Sequence, residues 1–506
     1  MTHVFTQGGR IRRYLRQEKK IAQPRKPVIY NSKKETRMFR KTLVQMITLL
    51  VVGLMVLSAC GSPTPAPAPA QPEKVEVVVT QLVPVEVTPT AQPVVEKPKP
   101  TGKIVLWGWS FGVLFDSGLV DEFNKEYPDI TVEWVNYATA DTYQNLKLAL
   151  ASGGGPDIAQ IETSHLAGFV ELGGLADMTE WVTPYKDKMN AYKWVDATKD
   201  GKIYAMPWDS GPVVLFYRRD IFEAAGFSSD PKEVEKLVST WDKMLEVCKT
   251  IVEKTGSPCF AQNKAQNYGR MYESVLWQQG LGYYNEKGEI TVNSPGNVAT
   301  LEMFGKFWDA NVVSDELEWT EGWVNAFGAA EKPLATHLEA SWMGNGLKFW
   351  LAKGQDSKWG AVLMPAMKEG QPRAANSGGS NMVILEESKN KEAAWAFIEF
   401  MLGRERSQLM QLAQADFFPA LETTYNDPLF IQGDPFYGGQ RIREVYREAA
   451  KQIPEARIYG PYKELMSGHV ATAIQKYATG QMSAQAALDE AAQAISNETG
   501  MPIAKP

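Results

Sequence analysis

The residues of this chain best equipped for chemistry fall into six short groups. Trp107-Gly108-Trp109-Ser110-Phe111 follows one apolar run, Glu162-Thr163-Ser164-His165 follows another, and Trp208-Asp209-Ser210 lies between two extended runs. Farther along come Arg270, Tyr272 and Glu273 in NYGRMYES, Glu339 and Trp342 in LEASWMGNG, and Asn376, Gly378, Gly379 and Ser380 in AANSGGSNMVI. Aromatic rings offer flat apolar faces; carboxylates, amides and backbone groups offer hydrogen bonds. That combination suits a solute with apolar C–H faces and hydroxyl edges. A second chemistry stays open: Glu162, Asp209 and Glu339 could supply the paired carboxylates of a hydrolase, which requires a specific gap between two of them. Plainer roles stand beside these. Trp107 closes its apolar run and reads as core. Thr163 or Ser164 can cap a helix as readily as Glu162 can accept a hydroxyl. His165 reads as a surface or capping histidine, and Asp157 as a residue that fixes the preceding turn. Phe418 and Tyr437 lie in loops within reach of such a site.

Strands and helices must alternate to present these groups. KIVLW (103–107) suits a buried strand, GLVDEFNKEY (118–127) has helical apolar spacing, and ITVEWVNY (130–137) alternates and is rich in β-branched residues. TYQNLKLALASG (142–153) reads as a helix ending at Gly153, and PDIAQIE (156–162) as a third strand. This order predicts a mostly parallel sheet with helical crossovers. GKIYAMPWDSGPVVLFYRRD (201–220) holds two extended runs broken by Pro207 and by Gly211-Pro212, which suits a strand leaving one lobe for another. AANSGGSNMVI is a second loose segment before a strand, and Gly378 and Gly379 can absorb a hinge rotation.

Composition narrows the class. The 506 residues include three cysteines and four histidines, so a zinc cluster or a disulfide-dense scaffold is not expected. Residues 1–59 carry 13 Lys+Arg against 2 Asp+Glu, whereas the remainder has a net charge of −17. An acidic body repels nucleic acid, so no nucleic-acid partner is expected. The basic front belongs to an export signal. Arg40 and Lys41 precede an apolar run, Leu43–Leu57, too short for a stable span, and Leu57-Ser58-Ala59-Cys60 follows. These four residues resemble the lipobox of bacterial lipoproteins, which implies lipidation of Cys60. Residues 1–37 read as an over-extended start, 38–59 as the signal peptide, and 60–102 as a proline-rich tether. At roughly 3.1 Å per residue in polyproline II, such a tether spans on the order of 100 Å. Cys248 and Cys259 are either a disulfide or two buried thiols.

KIVLWGWS, ASGGGPDIAQIE, GLADMTEWV and DGKIYAMPWDSGPVVLFYRRDIFEAAG, in that order, resemble family 1 of the extracellular solute-binding proteins, the carbohydrate receptors of ABC importers. KWGAVLMPAMKEGQPRAANSGGSNMVILEESKNKEAAWAFIEFML (358–402) and GQMSAQAALDEAAQAI (480–495) are similar to the same family. The resemblance implies an α/β, two-lobed, type II periplasmic-binding-protein-like fold with hinge strands between the lobes. It places 103–209 plus 386–428 in the first lobe, 213–373 plus 430–506 in the second, and hinges near 209–212 and 374–380. It puts Trp109, Ser110 and Phe111 on a ligand loop and Trp342 at a stacking position. It also implies a carbohydrate ligand, a permease pair with cytosolic ATPases as partners, a lipid-anchored monomer facing away from the cytoplasm, no cofactor and no enzymatic step. No GxxxxGK[ST] phosphate loop occurs, so the ATPase is another chain. Competing readings are a ligand module for a sensor kinase, a receptor for glycerol phosphate or a polyamine, and, remotely, the glycoside hydrolase.

Overall fold

A computed structural model describes residues 28–31, 98–264, 270–329, 331–456 and 460–505. The signal peptide, Cys60 and nearly all of the tether expected above lie outside the described residues. The alternation in ITVEWVN becomes a strand with one buried face. Ile130, Val132 and Trp134 are buried, and the residues between them are not. That strand belongs to a six-stranded sheet built from β1 (Val28–Asn31), β2 (Gly102–Gly108), β3 (Ile130–Asn136), β4 (Ile158–Glu162), β5 (Met206–Pro207) and β9 (Ser380–Ile384) in the spatial order β1-β3-β2-β4-β9-β5. β2 runs parallel to β3 and β4, as the alternating elements predict. β9 runs antiparallel to β4 and β5, so the sheet is less parallel than expected. The reason is topological: β9 enters from the other lobe, at the opposite end of the sheet. Val28–Asn31 lies in the stretch set aside as an over-extended start, yet it pairs along β3, where an edge strand has free backbone groups.

The second lobe centres on β6 (Val213–Arg218), flanked antiparallel by β7 (Thr336–Ala340) and β8 (Trp359–Leu363). Helices pack around it. One of them, Trp241–Thr255, starts where the Thr240 hydroxyl accepts from the Lys243 N–H and stops at Gly256, whose φ of 72° is left-handed. Such a cap contributes about 1 kcal/mol. Cys248 on this helix is disulfide-bonded to Cys259, with the two Cα atoms 5.6 Å apart.

Two apolar cores result, one per lobe. Three chain segments join the lobes. The chain crosses between Trp208 and Val213, returns between Ala375 and Met382, and crosses again between Phe417, packed on the first core, and Phe418, buried in the second. The three crossings lie side by side: Pro212 bridges Asn376, Asp209 bridges Pro419, and the Ser210 N–H donates to the Phe418 carbonyl at 2.9 Å. The sequence reading names two hinges and sets a third change of lobe at 428–430, later in the chain than Phe417 and Phe418 put it. The third sits in ADFFPA, which has neither alternation nor helical spacing.

Candidate binding site

The first lobe offers the carboxyl ends of its strands. At the end of β2, the backbone N–H groups of Trp109 and Ser110 both donate to Gln160 Oε1, at 3.0 and 2.9 Å. Gln160 Nε2 in turn donates to Ser380 Oγ at 2.8 Å. This tight turn needs Gly108, because a Cβ there would lie 2.6 Å from the Gln160 Cβ. Trp109 stands edge-on to Tyr143, with ring centroids 5.7 Å apart. Glu162 ends β4 and is paired in register with Ser380 on β9. Before Ser380, Gly378 and Gly379 take φ values of 71° and 76°, which side chains other than glycine's rarely allow. The Ser380 N–H donates to Asp209 Oδ1 at 2.7 Å, joining the first crossing to the second.

The second lobe brings charge and flat rings. Arg270 Nη1 lies 3.2 Å from Glu339 Oε2, and the guanidinium sits 5.9 Å from the Trp319 ring centroid and 5.7 Å from that of Trp342. The two indoles are nearly parallel, with centroids 6.2 Å apart and planes at 22°. Trp342 Nε1 donates to the Ser377 carbonyl at 3.1 Å, so the ring is held to the second crossing.

Between these surfaces lie two adjoining chambers. One, of about 330 Å³, is lined from the first lobe by Trp109, Ser110, Thr139, Glu162 and Asp209. Arg270, Trp319 and Trp342 line it from the second, and Gly378, Gly379, Ser380 and Phe417 from the crossings. The other, of about 430 Å³, shares Glu162, Arg270, Trp319 and Gly378 and adds Ser164, Glu273, Lys463 and Ser467 among its walls.

Burial sets the electrostatics. It pushes the Asp209 carboxyl up to about 6, against the lowering field of Lys193. It pushes the Lys193 ammonium down to about 8, against the raising field of Asp209. Lys193 donates to Thr163 Oγ1 at 2.6 Å and to the Ser380 carbonyl at 3.2 Å, so it braces the hinge from inside. Burial also raises Glu273 and takes Glu318 to about 7. For Arg270, burial opposes the charge, but Glu339, Glu162 and Glu318 together outweigh it and raise its pKa.

The structure thus brings Trp109, Ser110, Glu162, Asp209, Arg270, Glu273, Trp342, Gly378, Gly379 and Ser380 to the cavity. It places the other expected site residues elsewhere. Phe111 is fully buried against Trp134 and Trp208. Trp208 is 1% exposed and donates to Gln411 Oε1. Tyr272 is buried and its hydroxyl donates to the Asn297 carbonyl. These three rings fill lobe cores because the local chain turns their apolar faces inward. Glu339 does not line either chamber; it holds Arg270. Asn376 is buried and ties the crossings, accepting from the Gly211 N–H and donating to the Gly378 carbonyl, each at 2.9 Å. Phe418 and Tyr437 are buried in the second core. Trp107 is half-buried, edge-on to Tyr137, not core. Asp157 accepts from the Val105 N–H at 2.8 Å and so pins β2. Trp319, Thr139, Phe417, Lys463 and Ser467 line the cavity without having been singled out, and Ser164, read from the sequence as a helix cap, lines it as well. Trp319 carried a faint signal, an indole beside charged residues in DELEWTEGW.

Two α/β lobes around a polar and aromatic cleft, joined by three crossings, define a periplasmic-binding-protein fold, the fold of proteins that capture a solute between two lobes. The chain belongs to the bacterial extracellular solute-binding proteins, whose family model matches residues 112–406. This is a family of binding proteins, not enzymes, that works outside the cytoplasm. The chain is 27% identical over 365 residues to a lactose-binding protein of Rhizobium radiobacter, covering 70% of this chain and 83% of the relative. It is 28% identical over 321 residues to an arabinooligosaccharide-binding protein of Bacillus subtilis, covering 60% and 70%. Among solved structures, the ABC transporter associated binding protein of B. animalis subsp. lactis in complex with β-1,6-galactobiose superposes with a TM-score of 0.66 at 24% identity, covering 80% of this chain and all of the other.

Proposed function

We propose that this protein is the carbohydrate-binding component of an ABC importer, closing its two lobes around a hydroxyl-rich ligand and delivering it to the permease. One observation carries the reading: a single cavity opposes the Trp342 and Trp319 rings of one lobe to Glu162, Asp209 and Ser380 at the strand ends of the other. The rings suit C–H faces, and the carboxylates and the serine suit hydroxyls. The site residues are Trp109, Ser110, Glu162, Asp209, Arg270, Glu273, Trp342, Gly378, Gly379 and Ser380, with Trp319 added. The relatives named for lactose and arabinooligosaccharide support the ligand class.

A thermal-shift screen tests the proposal, because a ligand that binds the native state raises its melting temperature. Lactose, arabinooligosaccharides and β-1,6-galactobiose are compared with spermidine, glycerol 3-phosphate and a tripeptide. A shift with a saccharide, returned chemically unchanged, is expected. Shifts confined to the non-saccharides would overturn the ligand class. We further propose that acylated Cys60 holds the protein on the membrane and that residues 61–97 act as its tether, on the strength of the ordered basic, apolar and Leu-Ser-Ala-Cys features. Cys60→Ser is expected to release the protein from washed membranes; retention in the membrane fraction would refute the anchor.

A further inference from the structure

Exposed large apolar side chains are few among the described residues, and three of them, Trp319, Phe349 and Trp350, belong to the second lobe. Trp319 is 47% exposed and Trp350 52%. They are not scattered. The Trp342 ring faces Trp319 at 6.2 Å and 22°, and Trp319 faces Trp350 at 6.2 Å and 17°. Three nearly parallel indoles therefore form one row, starting inside the cleft and ending outside it. The row is backed by Trp323, which is 1% exposed and packs 5.1 Å from Trp319 and 6.4 Å from Trp350. Arg270 pins its inner end over both Trp319 and Trp342.

The backbone departs from ordinary geometry twice to hold this row. Trp319 has a φ of 65°, left-handed and strained for so bulky a residue. Leu347–Leu351, which carries Trp350, is a wide π-type turn. Both departures cost stability and concentrate at functional sites. The row also leads somewhere. Trp350 lines a separate groove of about 620 Å³ with Lys353 and Lys358, whose ammonium groups suit hydroxyls; Arg218 and Gln355 in its wall are held by Asp220 and by the Phe327 carbonyl.

We infer that the Trp319–Trp350 row and the groove beyond it form an outer binding track, so that the ligand is an oligosaccharide longer than the closed chambers hold. Inner units sit between the lobes. Outer units stack on Trp350 and set their hydroxyls against Lys353 and Lys358. The inference rests on the carbohydrate reading of the cleft, and it concerns a surface which that reading does not need.

The test is isothermal titration of the full-length protein with arabinobiose through arabinohexaose and with β-1,6-linked galactose oligomers of two to five units. Affinity is expected to rise with length in at least one series. Trp350→Ala is expected to weaken the longest binder about tenfold and to leave the dimer within about twofold. Trp350→Phe, which restores a flat ring, is expected to recover most of the loss. Equal binding of wild type and Trp350→Ala at every length, or an equal loss at every length, would overturn the track while leaving the cleft assignment standing. Absence of binding by every saccharide would overturn the carbohydrate reading and the track with it.

Discussion

Replacing Trp342 by alanine removes the ring most firmly tied to both the cleft and the hinge. The indole lines the inner chamber, lies beneath the Arg270 guanidinium, and hydrogen-bonds the second crossing through Ser377. A sugar stacked on one face covers about a third of a Trp's ~200 Å² of surface, worth about 1.6 kcal/mol at ~25 cal/mol per Å². The geometry of the stack adds about 0.5–1.5 kcal/mol. The sum, about 2–3 kcal/mol, is roughly a 30- to 150-fold rise in Kd. Trp342→Phe keeps most of the face and is expected to cost about fivefold. Both variants lose the Nε1 hydrogen bond, worth about 1 kcal/mol, so Trp342→Phe should melt about 2 °C lower, and Trp342→Ala, which also gives up the ring's packing on the second core, lower still. Titration calorimetry with the saccharide giving the largest thermal shift reads the affinities. Binding by Trp342→Ala within twofold of wild type would refute the stacking role. Equal losses for the Phe and Ala variants would move the role from the ring face to the hydrogen bond.

Two further outcomes follow from the buried groups. His337 is 6% exposed on β7, edge-on to Trp323 and Phe327, and burial pushes it down from 6.5 to about 4. Between those values the unfolded chain takes up a proton that the folded protein refuses, so stability is present above pH 6.5 and is lost as pH falls toward 4, by up to about 3 kcal/mol. Urea midpoints at pH 7 and 4.5 should therefore differ less in His337→Leu than in wild type; an unchanged difference would clear His337. Gly211 meets the neighbouring crossing so closely that a Cβ would lie 2.0 Å from the Ser377 carbonyl oxygen, whereas a Cβ at Gly328 would meet nothing within 4 Å. Gly211→Ala is expected to cost about 3 kcal/mol or more by denaturant titration, with Gly328→Ala nearly neutral. Equal effects would mean that the crossings slide apart freely.

What the sequence made legible were residues whose position in an element decides their direction. Trp109, Glu162 and Ser380 stand where a strand begins or ends, so the pattern of runs and breaks places them at the cleft. Gly378 and Gly379 read as a joint because glycine is what a left-handed backbone requires. Aromatic type alone was a poorer guide. A ring declares an apolar face but not the direction that face takes, and Phe111, Trp208 and Tyr272 turned into the lobe cores. Trp319 shows the reverse failure. Its place depends on one left-handed φ and on stacking with Trp342, Trp323 and Trp350, contacts no local pattern encodes. The third crossing, set at 428–430 from the sequence, comes earlier, at Phe417-Phe418, for the same reason: adjacent identical residues belong to different cores, and only tertiary packing separates them.

The ion pairs across the mouth of the cleft add little to closure. Across the mouth, Lys147 and His165 of the first lobe each lie 3.6 Å from Glu464 of the second. The Lys147 and Glu464 side chains are more than half exposed, and such pairs contribute about 0–1 kcal/mol. Driving an open form from 1:99 to 99:1 closed takes about 5.5 kcal/mol of differential affinity. Stacking on Trp342 supplies about half of that at most, and only the part made in the closed form counts. On the proposed site the remainder comes from the far wall, which Glu162 at the end of β4 and Asp209 in the first crossing contribute to the same chamber. A ligand that touches only the Trp342 side therefore binds without closing the protein, because it has no preference between the two forms. Selectivity for delivery is then set by the ligand's second edge, the one facing the carboxylates, more than by the face that first finds the ring.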